Sequence, residues 1–345
     1  MRIAVDAMGG DKAPKEIVKG AVQAAKKFKG DEIILVGNEA ELKKLIKTYP
    51  PHFLTKLDNV SIRHASQVVG MEEPGVAALR KKADSSITRC VELVAKGEAD
   101  AIVSAGNTGA AVAASSMRLR MLKGVKRPCL AATIPTRYDG CLIADIGANL
   151  KCKPLHLSQY AVMTSVFSKY VLGIKEPRVG LLNIGTERSK GNDLAKETYD
   201  MLRRTNLNFI GNSEGLDILE GKFDIVVCDG FMGNVLIKFA EGFAESLMHV
   251  LRSEAAREVR TKIGLKLLKP ALKKMRNRMD YSEYGGVPLL GIEGICIICH
   301  GRSDAKAIHN AIREALQFGN NHVNNHIVSE LEACGIYENE STVVE

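Results

Sequence analysis

The chain has no tryptophan, and aromatic residues make up only 5% of its 345 positions. Few ring faces are therefore available for stacking nucleobases, and nucleic acid is not an expected partner. No apolar run approaches the roughly 18–20 residues that span a bilayer. The opening stretch MRIAVDAMGGDKAP lacks the basic start, long apolar core and small-residue cleavage site of a secretory signal. A cytoplasmic location is expected. No G-x-x-x-x-G-K-[ST] loop and no G-x-G-x-x-G fingerprint occurs, so neither a triphosphate nor a dinucleotide site is indicated. The G-x-S-x-G elbow of serine hydrolases is missing too, as is any paired-histidine spacing. No covalent serine or bound metal is expected.

The eight cysteines are Cys90, Cys129, Cys141, Cys152, Cys228, Cys296, Cys299 and Cys334. In a chain without an export signal they read as buried thiols rather than a disulfide framework. CIICH at 296–300 matches the C-x-x-C-H haem pattern. It lies inside an apolar run that reads as a core strand, and no second C-x-x-C completes a zinc site.

Charge is unevenly placed. The net charge is +8, and residues 252–278 alone hold ten Lys/Arg against Glu254 and Glu258. Beyond Arg313 there is no Lys or Arg, so 325–345 reads as an acidic, flexible tail. Within the basic segment Leu265, Leu268, Leu272, Met275 and Met279 fall near helical spacing, and Pro270 suits the first turn of a second helix. An amphipathic helical hairpin over 250–280 is expected, with Leu265, Lys266, Leu268, Leu272 and Lys273 touching a membrane surface or an acidic carrier protein.

Elsewhere short β-rich runs alternate with helical patterns. MRIAVDA, EIILVG, VSIRHA, ADAIVSA (99–105), LAATIPT (130–136), CLIADIG (141–147), RVGLLNIG (178–185), LNFIGN, DIVVCDG and ICIICHG read as strands, and 74–96 as helix. The expected fold is α/β, a doubly wound and largely parallel sheet in one domain spanning 1–345. Ligands of such sheets bind outside the carboxyl ends of the strands.

Those ends carry glycine turns: DAMGGD (6–11), SAGNTG (104–109), DIGAN (145–149), NIGTERSKGN (183–192), DGFMGN (229–234) and YGGVPLLG (284–291). Asn, Thr or Ser ahead of a helix caps it and leaves N–H groups facing outward, which suits a small anion. Lys190 is the favoured cation and Asn234 a donor to a developing oxyanion. Arg80, Lys81 and Lys82 are further cations, equally readable as a solvated helix face. Asp6, Gly9, Gly10, Ser104, Gly106, Asn107, Thr108, Gly109, Asn149, Gly185, Thr186, Gly233 and His300 complete the expected substrate site.

VDAMGGD (5–11), RKKADSS (80–86), SAGNTGA (104–110), DIGAN and KP (145–154), GLLNIGTE and KGN (180–192), DGFMGN, YGG (284–286) and HGRSD (300–304) together resemble the PlsX family of bacterial phosphate acyltransferases over essentially the whole length. Family members often carry histidine after GGD, where this chain has Lys12. The resemblance implies cofactor-free transfer of a fatty acyl group from acyl-[acyl carrier protein] to inorganic phosphate. It also implies an isocitrate/isopropylmalate-dehydrogenase-like fold and a homodimer. The product would feed phosphatidic acid synthesis through a membrane-bound glycerol-3-phosphate acyltransferase, with this protein peripherally attached to the membrane. An acyl-coenzyme A donor and an inactive membrane-surface scaffold are the alternatives.

Overall fold

Runs such as IAV (3–5) and IVV (225–227) are buried on both faces, the mark of interior strands in a sheet covered by helices on each side. The computed structural model describes residues 1–48, 58–138, 140–257, 260–261, 264, 267–268, 270, 272 and 285–336. The strands are β1 (Arg2–Asp6), β2 (Glu32–Gly37), β3 (Val60–His64), β4 (Ala101–Ser104), β5 (Cys129–Pro135), β6 (Gly140–Ala144), β7 (Val179–Leu182), β8 (Phe209–Ser213), β9 (Ile225–Val227), β10 (Val287–Leu290) and β11 (Ile295–Ile298). The helices are α1 (Lys15–Lys27), α2 (Glu39–Ile46), α3 (Gly75–Lys81), α4 (Ser86–Ala95), α5 (Thr108–Arg118), α6 (Pro154–Phe167), α7 (Asp193–Leu202), α8 (Gly215–Leu219), α9 (Gly230–Arg257), α10 (Ala305–Asn320) and α11 (Val323–Ala333).

The strands form one sheet in the order β3-β2-β1-β4-β11-β10-β5-β6-β9-β7-β8. Two parallel runs, β3 to β11 and β6 to β8, are joined through antiparallel pairs at β11–β10, β10–β5 and β5–β6. Three reversals make the two runs point in opposite directions. Register brings their carboxyl ends level. Asp6, Ser104, Ile298 and Val287 share one ladder. From Val287 the chain descends β10 to Leu290, crosses to Cys129 and climbs β5 to Ala131, which pairs with Ala144 and so with Val227. The two ladders differ by one residue, about 3.3 Å along the strand.

One face of the sheet carries a single core. There Ile3, Val103, Ile297, Leu142 and Val227 pack with Ile17, Tyr160, Met163, Ile308 and Ile327 of α1, α6, α10 and α11. The opposite face is split. Ala4, Ile102, Ile298 and Leu130 pack under α4 and α5, whereas Ile143 and Val226 pack with Ile218 of α8 and Leu236 and Ile237 of α9. Ile146 touches both clusters. The seam between them runs over β10, β5 and β6.

Several expectations need correction. The helix read over 74–96 is two, α3 and α4, because residues 82–85 leave helical geometry before Ser86. The stretch read as a tail from 325 begins inside α11, where Val323, Ile327 and Leu331 are buried; residues 337–345 lie outside the described residues. YGGVPLLG, read as a turn, contains β10. Cys296 and Cys299 sit on opposite faces of the sheet, in separate clusters, and cannot share a ligand. Of the hairpin, Leu265, Lys266 and Lys273 lie outside the described residues; Leu268 and Leu272 are helical, Leu268 exposed and Leu272 partly buried.

Glu314 is buried within α10 and accepts a hydrogen bond from Gly286 N at 3.3 Å. Burial pushes its carboxyl up to about 8, against the pull of Gly286 and Arg313. The native state therefore keeps the proton that the unfolded chain releases near pH 4.5. Stability from this group is full below that pH and is lost as pH rises to about 8, by on the order of a few kcal/mol. Between pH 5 and 8 the melting temperature of wild type should fall relative to Glu314→Gln. Parallel curves for the two proteins would contradict this.

Candidate functional site

The expected site residues fall into two sets. Asp6, Gly9, Gly10, Ser104, Gly106, Asn107, Thr108, Gly109 and His300 lie at the ends of β1, β4 and β11. Asn149, Gly185, Thr186, Lys190, Gly233 and Asn234 lie at the ends of β6, β7 and β9. Ile146 and Ala148, in the turn that leads to Asn149, pack on the cluster that holds Ala110 and Ala111 of α5, which joins the two.

In the first set most polar groups are used internally. Asp6 is 2% exposed and Ser104 1%. Ser104 Oγ donates to Asp6 Oδ2 at 2.7 Å and accepts from Gly106 N at 3.1 Å. Burial pushes the Asp6 carboxyl above its ordinary range, while Ser86 and Ser104 pull it back. A β-carbon on Gly9 would lie 2.5 Å from Asp6 Oδ2 and 2.8 Å from Gly106 Cα, so only glycine lets the two turns meet over this carboxyl. Gly10 takes a positive φ of 108°. Asp6 Oδ2, Ser104 Oγ and Gly106 N thus brace the turns beneath the site, while Asp6 Oδ1 is buried without a hydrogen-bond partner among the described residues.

Asn107 is also corrected. Its Oδ1 accepts from Ala110 N at 2.9 Å, and its Nδ2 donates to the carbonyls of Gly70, Met71 and Glu73. Its side chain clamps a neighbouring segment and has no donor left for substrate. Thr108 and Gly109 are exposed, and among the described residues their N–H groups have no acceptor. They are the first two residues of α5, where the helix dipole adds attraction for an anion. His300 sits in the turn after β11, with Nδ1 accepting from Arg302 N at 3.1 Å.

The second set is built on Asp145, which sequence reasoning placed in a turn but not in the site. It is fully buried. Its Oδ1 accepts from the N–H groups of Leu130, Gly147 and Ala148, and its Oδ2 from Asn149 N and Nδ2. Burial raises its carboxyl above the ordinary range, and these donors oppose that shift. The first turn of α9 lies against it: a β-carbon on Gly233 would collide with the Asp145 carbonyl oxygen. Asn149 donates to Pro128 O at 2.6 Å as well, so its amide stitches β6 to β5 instead of facing substrate.

Asn234, one residue beyond Gly233, is partly exposed beside Gly147, and its amide makes no hydrogen bond to a described residue. Lys190 is exposed and forms no ion pair with a described residue; its Cγ lies 2.9 Å from where a β-carbon on Gly185 would sit. Gly185 is buried under that loop, and Thr186 O accepts from Asn212. Two amide N–H groups, one side-chain amide and one ammonium are thus without partners among the described residues, and they are the donor types that bind phosphate and polarise a carbonyl. Among the described residues no cluster of His, Cys, Asp and Glu could hold a metal ion.

A family model described as fatty acid synthesis protein matches residues 1–326. The phosphate acyltransferase of Pelobacter propionicus is 47% identical over 331 residues, covering 96% of this chain and 94% of that relative. That of a Nostoc species is 46% identical over 335 residues, covering 96% of each. The chain belongs to the PlsX family of phosphate acyltransferases. It is an acyltransferase that moves an acyl group to phosphate. Its fold resembles that of a phosphotransacetylase from Streptococcus pyogenes, with a TM-score of 0.58 at 17% identity, over 92% of this chain and 94% of that one. A branched-chain phosphotransacylase from Enterococcus faecalis gives 0.53 at 14% identity, over 92% and 98%. A cavity of about 620 Å³ at the amino ends of β4 and β11 lies away from this acyltransferase's site. Its Arg118 is paired with Glu92 and its Asp100 with Arg2.

Proposed function

We propose that the acyl donor is a fatty acyl thioester of acyl carrier protein and that the acyl phosphate formed feeds phosphatidic acid and phospholipid synthesis. The observation that carries the chemistry is the pair of exposed N–H groups at Thr108 and Gly109, which have no acceptor among the described residues and follow a strand whose carboxyl end is level with those leading to Lys190 and Asn234. Phosphate bound at α5 needs no activated side-chain nucleophile. All eight cysteines are held above their ordinary thiol range, chiefly by burial. A thiolate intermediate is therefore disfavoured, and direct attack fits the site.

A phosphate oxygen forms the new C–O bond as the thioester oxygen takes up the electron pair. Asn234 donates to that oxyanion, and Lys190 balances charge on the phosphate or the intermediate. The oxyanion then collapses, the C–S bond breaks, and the sulfur takes the proton that hydrogen phosphate gives up. Positioning and oxyanion stabilisation supply the acceleration. The overall architecture supports the isocitrate/isopropylmalate-dehydrogenase-like assignment, with its cleft between two parallel runs.

The homodimer is assigned to α9. Phe231, Val235, Phe239, Phe243, Leu247 and Leu251 repeat every fourth residue and are 37–68% exposed. An i±4 ridge of this kind, inclined to the helix axis, packs into the matching groove of a second helix, and a second copy of the chain supplies it. The basic segment that follows α9 is assigned to an anionic membrane surface, close to the membrane-bound acyltransferase that would take the product. Among the described residues no helix is long and apolar enough to cross a membrane.

Long-chain acyl carrier protein plus phosphate should give acyl phosphate that hydroxylamine traps. Lys190→Ala or Asn234→Ala should each lower turnover by on the order of 10²-fold. Near-normal turnover in either folded variant would remove that residue's role, and product from acyl-coenzyme A alone would replace the donor. Phe239→Glu combined with Phe243→Glu should convert dimer to monomer in analytical ultracentrifugation; a dimeric variant would free the stripe for another partner. Leu268→Glu should weaken flotation with anionic vesicles, and unchanged flotation would place the membrane contact elsewhere.

A further inference from the structure

Residues 68–82, between β3 and α4, are fastened to the rim of the phosphate cradle. Asn107 holds the carbonyls of Gly70, Met71 and Glu73 at 3.1, 2.9 and 2.8 Å. A β-carbon on Gly75 would lie 2.5 Å from Gly109 C and Ala110 N, so α3 rests directly on the first turn of α5. The Lys82 ammonium bonds Val68 O at 2.8 Å and the Glu73 carboxylate at 2.5 Å, closing the segment on itself. Met71 reaches over Gly301 in the turn after β11. The segment is therefore a braced platform, and its fastening residue immediately precedes the two donors that face phosphate.

Much of its outer surface is exposed and uncovered by the described residues. Val68, Met71 and Val76 are exposed apolar side chains. Arg80 and Lys81 are exposed and make no hydrogen bond or ion pair to a described residue. Lys82 neutralises Glu73, which leaves Arg80 and Lys81 against Glu72 alone. No aromatic residue occurs in the segment, so a single-stranded nucleic acid finds no stacking platform there. A basic and apolar surface suits an acidic protein with apolar side chains among its carboxylates.

We propose that the outer surface of residues 68–82 is where the acidic carrier docks to deliver its thioester. This rests on the reading of a carrier-bound donor given above. Docking beside Thr108 and Gly109 places the carrier's flexible arm at the mouth of the cleft, next to the bound phosphate. The basic segment after α9 is then left to the membrane. Glu73 and Lys82 hold the platform's shape, whereas Arg80, Lys81 and Val76 meet the partner.

The test compares two thioesters of the same acyl chain with the full-length protein, one on the carrier protein and one on pantetheine alone, at saturating phosphate. Arg80→Glu combined with Lys81→Glu should lower kcat/KM for the carrier thioester at least tenfold, mainly through KM, and leave the pantetheine thioester unchanged. Arg80→Lys combined with Lys81→Arg should restore the carrier-dependent rate. An undiminished rate with the carrier thioester would overturn the docking surface, as would an equal fall with both donors. If wild type turns over the pantetheine thioester but not the carrier thioester, the donor reading fails and the docking surface with it. Wild-type turnover of the carrier thioester with an undiminished variant overturns the docking surface alone.

Discussion

A carboxyl group buried under a backbone turn has to be surrounded by donors, because an unpaired one would cost more than the turn is worth. Asp145 meets that requirement in full just beyond β6, whereas Asp6 at the end of β1 meets it through Oδ2, its Oδ1 being buried without a hydrogen-bond partner among the described residues. Each gathers hydroxyl or backbone donors from two chain segments, and each has a glycine pressed against it, Gly9 on one side and Gly233 on the other. The shape of the cleft follows from these two hubs. Asp6 and Ser104 tie the first turn to the start of α5, while Asp145 ties β5, the turn after β6 and the start of α9. With both helix starts fixed from below, the donors that remain free, on Thr108, Gly109 and Asn234, are preorganised.

The sheet brings these hubs together by an unusual route. Parallel strands that all ran one way would present every turn on one edge. Here β10 and β5 reverse the direction, and the register along them leaves the carboxyl ends of the two runs about one residue apart. The split of the core into two clusters on a single face is the other half of the arrangement. A continuous core on that face would fill the space that substrate needs.

Much of this was legible in the residue pattern, and the exceptions have physical causes. Alternating β-rich and helical runs located β1 to β9 and β11 within a few residues. β10 was missed because VPLL is four residues long and Pro288 cannot donate to a ladder, which argues against an interior strand. It survives by pairing with β11 through one half and β5 through the other. The glycine turns were visible, but the direction of a polar side chain was not. Ser104 and Asn107 have the chemistry of ligands and act as braces because their partners arrive from residues distant in sequence. Asp145 did carry a signal: an Asp that ends a strand and precedes a glycine turn commonly accepts the turn's N–H groups.

The central claim is a division of labour, with phosphate held by the start of α5 and the thioester oxygen by the start of α9. Thr108→Pro tests it with little disturbance, because proline is tolerated at the first helical position and removes the N–H, with Thr108→Val as the control for the hydroxyl lost alongside it. Asn107 ahead of it already has an extended ψ of 112°, the conformation that proline demands of its predecessor. Initial rates against phosphate concentration should show the phosphate KM raised about tenfold or more in Thr108→Pro, with the thioester KM unchanged, an N–H to an anion being worth about 1.5–3 kcal/mol. Asn234→Ala, measured alongside, should lose kcat at an unaltered phosphate KM. A phosphate KM unmoved by Thr108→Pro would contradict the account.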